Sequence, residues 1–174
     1  GNMDAYVTYW LTDENIVRLE YEAMTDKPTV VNLSNHTYFN LRGSESSYVM
    51  EHVMQVEADT CVQNNLQYCP DLLLPVEDTP FDFREPHAIG ERIGADDVQL
   101  KNGGGYDMNW VLSREDNGLV ETVATLYEPQ SGRAMDVATD QVALQFYSGN
   151  FFNGSYAGKN EQVIGHRCAL ALET

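Results

Sequence analysis

The chain has 174 residues, with 27 Asp and Glu against 10 Lys and Arg, and a formal charge of −17 at pH 7. That length corresponds to about one domain, and a composition of 43% apolar and 21% charged residues supplies a core, which excludes intrinsic disorder. The acidity excludes a nucleic-acid role, because no basic stripe is present to neutralise phosphates, and the same field repels anionic membranes. Neutral ligands suit it better.

Period-two patterning dominates and predicts strands over residues 6–11, 16–23, 29–33 and 48–57, each rich in β-branched and aromatic residues. In the second of these, Val17, Leu19, Tyr21 and Ala23 share one face. Asp13-Glu14-Asn15 predicts a tight hairpin, and Thr25-Asp26-Lys27-Pro28 another turn. Residues 61–105, rich in Pro, Asp and Gly, predict long ordered loops with one short helical turn near residues 88–93. Further strands are predicted over residues 109–113, 119–127, 133–139, 142–147 and 166–172. Asp116-Asn117-Gly118 and Gln130-Ser131-Gly132 serve as hairpin turns between the first three of these. No segment carries a sustained helical stripe, so the expected class is all-β, a sandwich or barrel, with no internal domain boundary.

Four histidines can be weighed singly. His36 directly follows a predicted strand and is flanked by amides and hydroxyls that could fix its tautomer; a histidine titrates near working pH and suits proton transfer. The alternative is a histidine that merely caps a strand. His52, His87 and His166 are expected to be scaffold or surface. Asp107 follows Gly103-Gly104-Gly105 and adjoins Tyr106 and Trp110, which suits a sugar face, although the glycines could equally build a sharp loop. Glu173 ends an apolar strand, where burial would raise its pKa and make it a base. Cys61, Cys69 and Cys168 give neither a paired spacing nor a zinc pattern, and no metal site is expected.

Five ordered motifs then resemble the aldose 1-epimerase (galactose mutarotase) family. They are Asn32-Leu33-Ser34-Asn35-His36-Thr37-Tyr38-Phe39-Asn40-Leu41, Asp78-Thr79-Pro80-Phe81-Asp82-Phe83-Arg84, Gly105-Tyr106-Asp107-Met108-Asn109-Trp110, Leu144-Gln145-Phe146-Tyr147-Ser148-Gly149-Asn150 and Leu170-Ala171-Leu172-Glu173-Thr174. The resemblance implies a large antiparallel β-sandwich of which this chain is a part. It also implies an enzyme that interconverts the α and β anomers of a free hexose such as galactose or glucose without a cofactor. By position it implies that Glu173 is the catalytic base, that His36 donates a proton to the ring oxygen, and that Asp107, Asn35 and Tyr38 bind substrate.

The family's chain is roughly twice as long as this one. Its N-terminal half supplies an arginine and a second histidine that no segment here matches. Gly1 and the apolar strand running to Thr174 agree with the expectation of a C-terminal portion, whose partners would be a free aldose and either the remaining half of the same domain or a second copy. Cys69-Pro70-Asp71 and Met108 depart from the family's usual loop and histidine. A cytoplasmic location is expected, since no signal-peptide layout or membrane-length apolar run is visible, with the periplasm or secretion left open because the true N-terminus is not seen. Two alternatives stand beside the leading one. One is a non-catalytic carbohydrate-binding module of the same fold; the other is a hexose-6-phosphate epimerase that would draw on Arg84, Arg92 or Lys101.

Overall fold

The computed structural model describes residues 1–43, 48–65, 67 and 69–174, which form two compact units, Gly1–Ser34 and Asn35–Thr174. In the first, β1 (Met3–Leu11) and β2 (Val17–Thr25) pair antiparallel from Met3 opposite Thr25 to Leu11 opposite Val17. The predicted turn closes them: the Thr12 amide donates to the Ile16 carbonyl at 3.0 Å, and Asn15 takes a positive φ of 62°. Ala5, Val7, Tyr9, Leu19, Tyr21 and Ala23 lie on one face of this hairpin, while Trp10 on the other donates its indole N–H to Glu20. The strand expected over residues 29–33 does not form. Val30 is 98% exposed with no ladder beside it, and an apolar run without a pairing partner stays irregular.

The second unit is an antiparallel sandwich, as expected. Its strands are β3 (Tyr38–Phe39), β4 (Val53–Val56), β5 (Thr60–Asn64), β6 (Pro70–Pro75), β7 (His87–Ala88), β8 (Asp107–Val111), β9 (Glu121–Glu128), β10 (Arg133–Thr139), β11 (Ala143–Tyr147), β12 (Tyr156–Ala157), β13 (Val163–Ile164) and β14 (Leu170–Glu173). One sheet has the order β3-β14-β11-β8-β5-β6, a second β10-β9-β4-β7, and β12 pairs with β13 as a small ribbon. Met108, Trp110, Leu144, Phe146, Leu170 and Leu172 from the larger sheet share one core with Met54, Val56, Ala124 and Leu126 from the smaller. Phe81, Phe83 and Tyr106 complete that core. Tyr106 stacks on Phe146 at 5.3 Å and donates its hydroxyl to the Pro80 carbonyl, and the Trp110 indole donates to the Phe81 carbonyl at 3.0 Å, so Tyr106 and Trp110 are held by their polar tips as well as by area.

Several boundaries differ from the sequence expectation. The stretch over residues 61–105 contains β5, β6 and β7 and two helices, α1 (Ile89–Arg92) and α2 (Val98–Gly103), rather than loops alone. Strand β6 begins and ends in proline, which an edge strand tolerates, and its Leu72-Leu73-Leu74 run hides the alternation. Helix α2 is too short for a periodicity signal, although Asp97 caps its start by accepting from the Gln99 and Leu100 amides and Gly104, left-handed at φ 64°, closes its end. Of residues 48–57, only 53–56 are strand, because the chain turns where the His52 amide donates to the Val49 carbonyl. Asp116-Asn117-Gly118 turns the chain but joins β8 to β9 in the other sheet, so it is no hairpin. Gln130-Ser131-Gly132 does close the β9–β10 hairpin. Among the described residues no helix is long and apolar enough to cross a membrane.

A polar cluster ties the two sheets together behind β3. Glu128 is completely buried and accepts from the Arg42 guanidinium at 2.8 and 3.1 Å and from the Gln130 and Ser131 amides. The Leu41 carbonyl accepts from Ser131 and Arg133, and the Leu41 amide donates to the ring Nε2 of buried His52 at 3.0 Å. Burial alone would push the Glu128 carboxyl up, but the donors around it prevail and hold it down at about 2.

Two predictions follow from this core. Phe146→Ala, which empties a fully buried site, is expected to destabilise the protein by about 3–5 kcal/mol in chemical denaturation. Because the folded pKa of Glu128 lies below its ordinary 4.5, the stability it confers is complete above pH 4.5 and is lost as the pH falls towards 2. Glu128→Gln should therefore flatten the acid limb of stability against pH, and an unchanged limb would refute this role.

Candidate active site

The larger sheet buries one face and leaves the other open. On β8, Met108 and Trp110 enter the core, so Asp107 and Asn109 face out; on β11 the buried pair Leu144 and Phe146 leaves Gln145 and Tyr147 outward; on β14 Leu170 and Leu172 leave Ala171 and Glu173 outward. Register aligns the outward residues in rows. Tyr38, Ala171, Tyr147 and Asp107 form one, and Glu173, Gln145, Asn109 and Val62 form the next.

His36 stands at the entrance to β3, beside these rows. Its Nε2 lies 3.4 Å from Glu173 Oε1, and its ring is 4.8 Å from that of Tyr38 and 6.2 Å from that of Tyr147. The imidazole is half exposed while the carboxylate is only 20% exposed, so the pair lies at the boundary of water and protein. The turn carrying His36 is shaped by Asn35, whose Oδ1 accepts from the Thr37 amide at 3.0 Å. Tyr38 then leans on Phe152 at 4.8 Å, and Tyr147 stacks on Phe151, so aromatic rings wall one side of the pair.

Both carboxyls of the site are shifted upward. Burial raises Glu173, the nearby His36 draws it back, and Asp107 raises it further. Burial likewise raises Asp107, while the amide of Gln145, donating at 2.9 Å, and His36 oppose it. Burial also raises the phenols of Tyr38 and Tyr147, and the Tyr147 hydroxyl accepts from the Phe151 amide at 2.8 Å. A half-buried carboxylate 3.4 Å from an imidazole, with a second carboxyl on the same face, can take a proton from one atom of a small ligand and return one to a neighbouring atom.

The structure therefore brings His36, Glu173, Asp107 and Tyr38 to one face, with Asn35 building the turn beside them. Gln145 and Tyr147 were not singled out by sequence, although the alternation of Leu144-Gln145-Phe146-Tyr147 places both on the open side. The glycines before Asp107 build the loop: Gly103 and Gly104 end α2, and a Cβ on Gly105 would lie 2.3 Å from Asn150 Oδ1. His52 is buried scaffold, His166 is exposed, and His87 pairs with Glu91. Arg84 chelates Asp82, Arg92 donates to the Asp82 carbonyl, and Lys101 pairs with Asp96, so each of these cations is already engaged. Among the described residues no cluster of His, Cys, Asp and Glu could hold a metal ion.

Residues 1–174 match the family model described as aldose 1-epimerase. The chain is 40% identical over 175 residues to the aldose 1-epimerase of Escherichia coli K12, covering 100% of this chain and 49% of that one. It is 35% identical over 177 residues to the galactose mutarotase of Homo sapiens, again with 100% and 49% coverage. Among solved structures, a galactose 1-epimerase from Lactobacillus acidophilus NCFM aligns with a TM-score of 0.86 at 31% identity, covering 99% of this chain and 48% of its own. A GalM/aldose epimerase homologue from C. elegans aligns with a TM-score of 0.80 at 28% identity, covering 98% and 50%. The chain thus spans about half the length of the relatives it matches. It belongs to the aldose 1-epimerase family.

Proposed function

We propose that this chain carries the proton-transfer pair of an aldose 1-epimerase that interconverts the α and β anomers of a free hexose such as glucose or galactose. The observation that carries this reading is the 3.4 Å approach of His36 Nε2 to Glu173 Oε1 on an open, partly buried sheet face. Glu173 takes the proton of the C1 hydroxyl, the C1–O1 bond becomes a carbonyl, and the C1–O5 bond breaks. Its electron pair stays on O5, which receives a proton from His36. Rotation about C1–C2 presents the other carbonyl face, and the reverse steps close the ring and restore both protons.

Asp107, held by Gln145, would accept hydrogen bonds from sugar hydroxyls, and the Tyr38 ring would lie against the sugar. Asn35 would contribute beside them from the His36 turn. The upward shift of Glu173 suits the base, because a carboxylate with a raised pKa is a stronger proton acceptor than an ordinary one.

In the intact protein, His36→Asn and Glu173→Gln should each lower the rate of anomerisation about 100- to 10,000-fold with the fold retained. Polarimetry on freshly dissolved α-glucose or α-galactose reads this directly, and a near-wild-type rate in either variant would sink the assignment.

The same carboxylate carries a stability consequence of opposite sign. The folded pKa of Glu173 lies above its ordinary 4.5, so its contribution is complete below pH 4.5 and is lost as the pH rises through the folded value. Glu173→Gln should therefore raise the melting temperature at neutral pH while removing activity. A melting temperature lowered by the substitution would contradict that sign.

A further inference from the structure

Asn109 is the one polar outward residue of its row to which neither the family resemblance nor the acid–base chemistry gives a role. It lies in the middle of β8, between β11 and β5, directly opposite Gln145 on one side and Val62 on the other. It is partly buried, and among the described residues its side-chain amide has no hydrogen-bond partner. Asparagine is disfavoured inside strands, and this amide is not among the buried polar atoms left without a partner, so it stays open to water or to a ligand on the exposed face. Its neighbour shows the contrast, since the Gln145 amide is engaged at 2.9 Å by Asp107.

The spacing of the row gives Asn109 a role. Glu173 and Asn109 are separated by one intervening strand, about 10 Å at a strand spacing of about 4.8 Å, and both project from the same face. One pyranose with a hydrogen bond of about 2.8 Å at each end fills that distance. Asp107 lies two residues back on the same strand, about 7 Å away, and can serve the flank of such a ring.

Resting on the anomerase reading of His36 and Glu173, we propose that Asn109 is a specificity-determining substrate contact. Its amide binds the hydroxyl on C3 or C4, at the end of the sugar remote from the anomeric carbon. Its amide offers both a donor and an acceptor, while on one side Val62 is apolar and on the other the Gln145 N–H is already given to Asp107.

The test is polarimetry on the intact protein and its Asn109→Ala and Asn109→Ser variants, using α-glucose, 3-deoxyglucose and 4-deoxyglucose. For glucose, KM should rise about fivefold, the loss of one neutral hydrogen bond, with kcat changed less. That penalty should vanish on whichever deoxy sugar lacks the contacted hydroxyl. An unmoved KM in both variants, or an equal penalty on all three sugars, overturns the assignment while the wild-type rate leaves the anomerase reading standing. A wild-type protein that accelerates no anomerisation overturns both. Should the alanine variant fail to fold, as judged by its unfolding midpoint, the serine variant decides by the same comparison.

Discussion

Trp110, Phe146 and Leu172 must all leave water on the same side of the larger sheet, and that requirement arranges everything on the other side. Side chains alternate along each strand, so burying these three turns Asn109, Gln145 and Glu173 outward in one row. A slip of one residue in β14 would bury Glu173 and expose Leu172. The hydrophobic core therefore sets the register, and the register sets which polar groups meet a ligand. No loop has to find the position of Glu173 unaided.

Those polar groups pay for their placement in protonation. Asp107 and Glu173 share a half-buried face that favours their neutral forms, and Asp107 raises the cost of ionising Glu173 further. His36 offsets part of that cost from 3.4 Å, and it does so from an exposed position where its own proton can exchange with solvent. Gln145 offsets another part by donating to Asp107. The arrangement is poor for stability and good for proton transfer, since a carboxylate that is easily protonated and an imidazole that is easily reached are what the proposed ring opening requires.

Much of this was legible in the sequence because it is written in local alternation. The all-β class, the turns at residues 13–15 and 130–132, and the placing of His36 and Glu173 at or beside strand ends all follow from patterns a few residues long. What stayed hidden depends on distant partners. The run at residues 29–33 has the composition of a strand but nothing pairs with it, whereas 70–75 lacks the composition and is a strand because β5 lies alongside. Gln145 was invisible as a site residue because its importance comes from Asp107, 38 positions away. The turn at 116–118 was read correctly as a turn and wrongly as a hairpin, since a turn signal does not say which sheet receives the next strand.

The smaller sheet shows how a site depends on residues that never touch it. His36 rides on β3, an edge strand with only two paired residues, which by itself would be a loose support. Residues 40–42, which follow, are fastened at several polar groups. Asn40 donates to the Cys168 carbonyl beside β14, Leu41 is held at both its amide and its carbonyl, and Arg42 ends on the buried Glu128 of β9. Breaking an ion pair of this kind leaves a buried charge unpaired, so the arm has no inexpensive alternative position. The distance between His36 and Glu173 is thus kept from two directions: the register of β14 holds the carboxylate, and a carboxylate in the other sheet holds the arm that carries the imidazole.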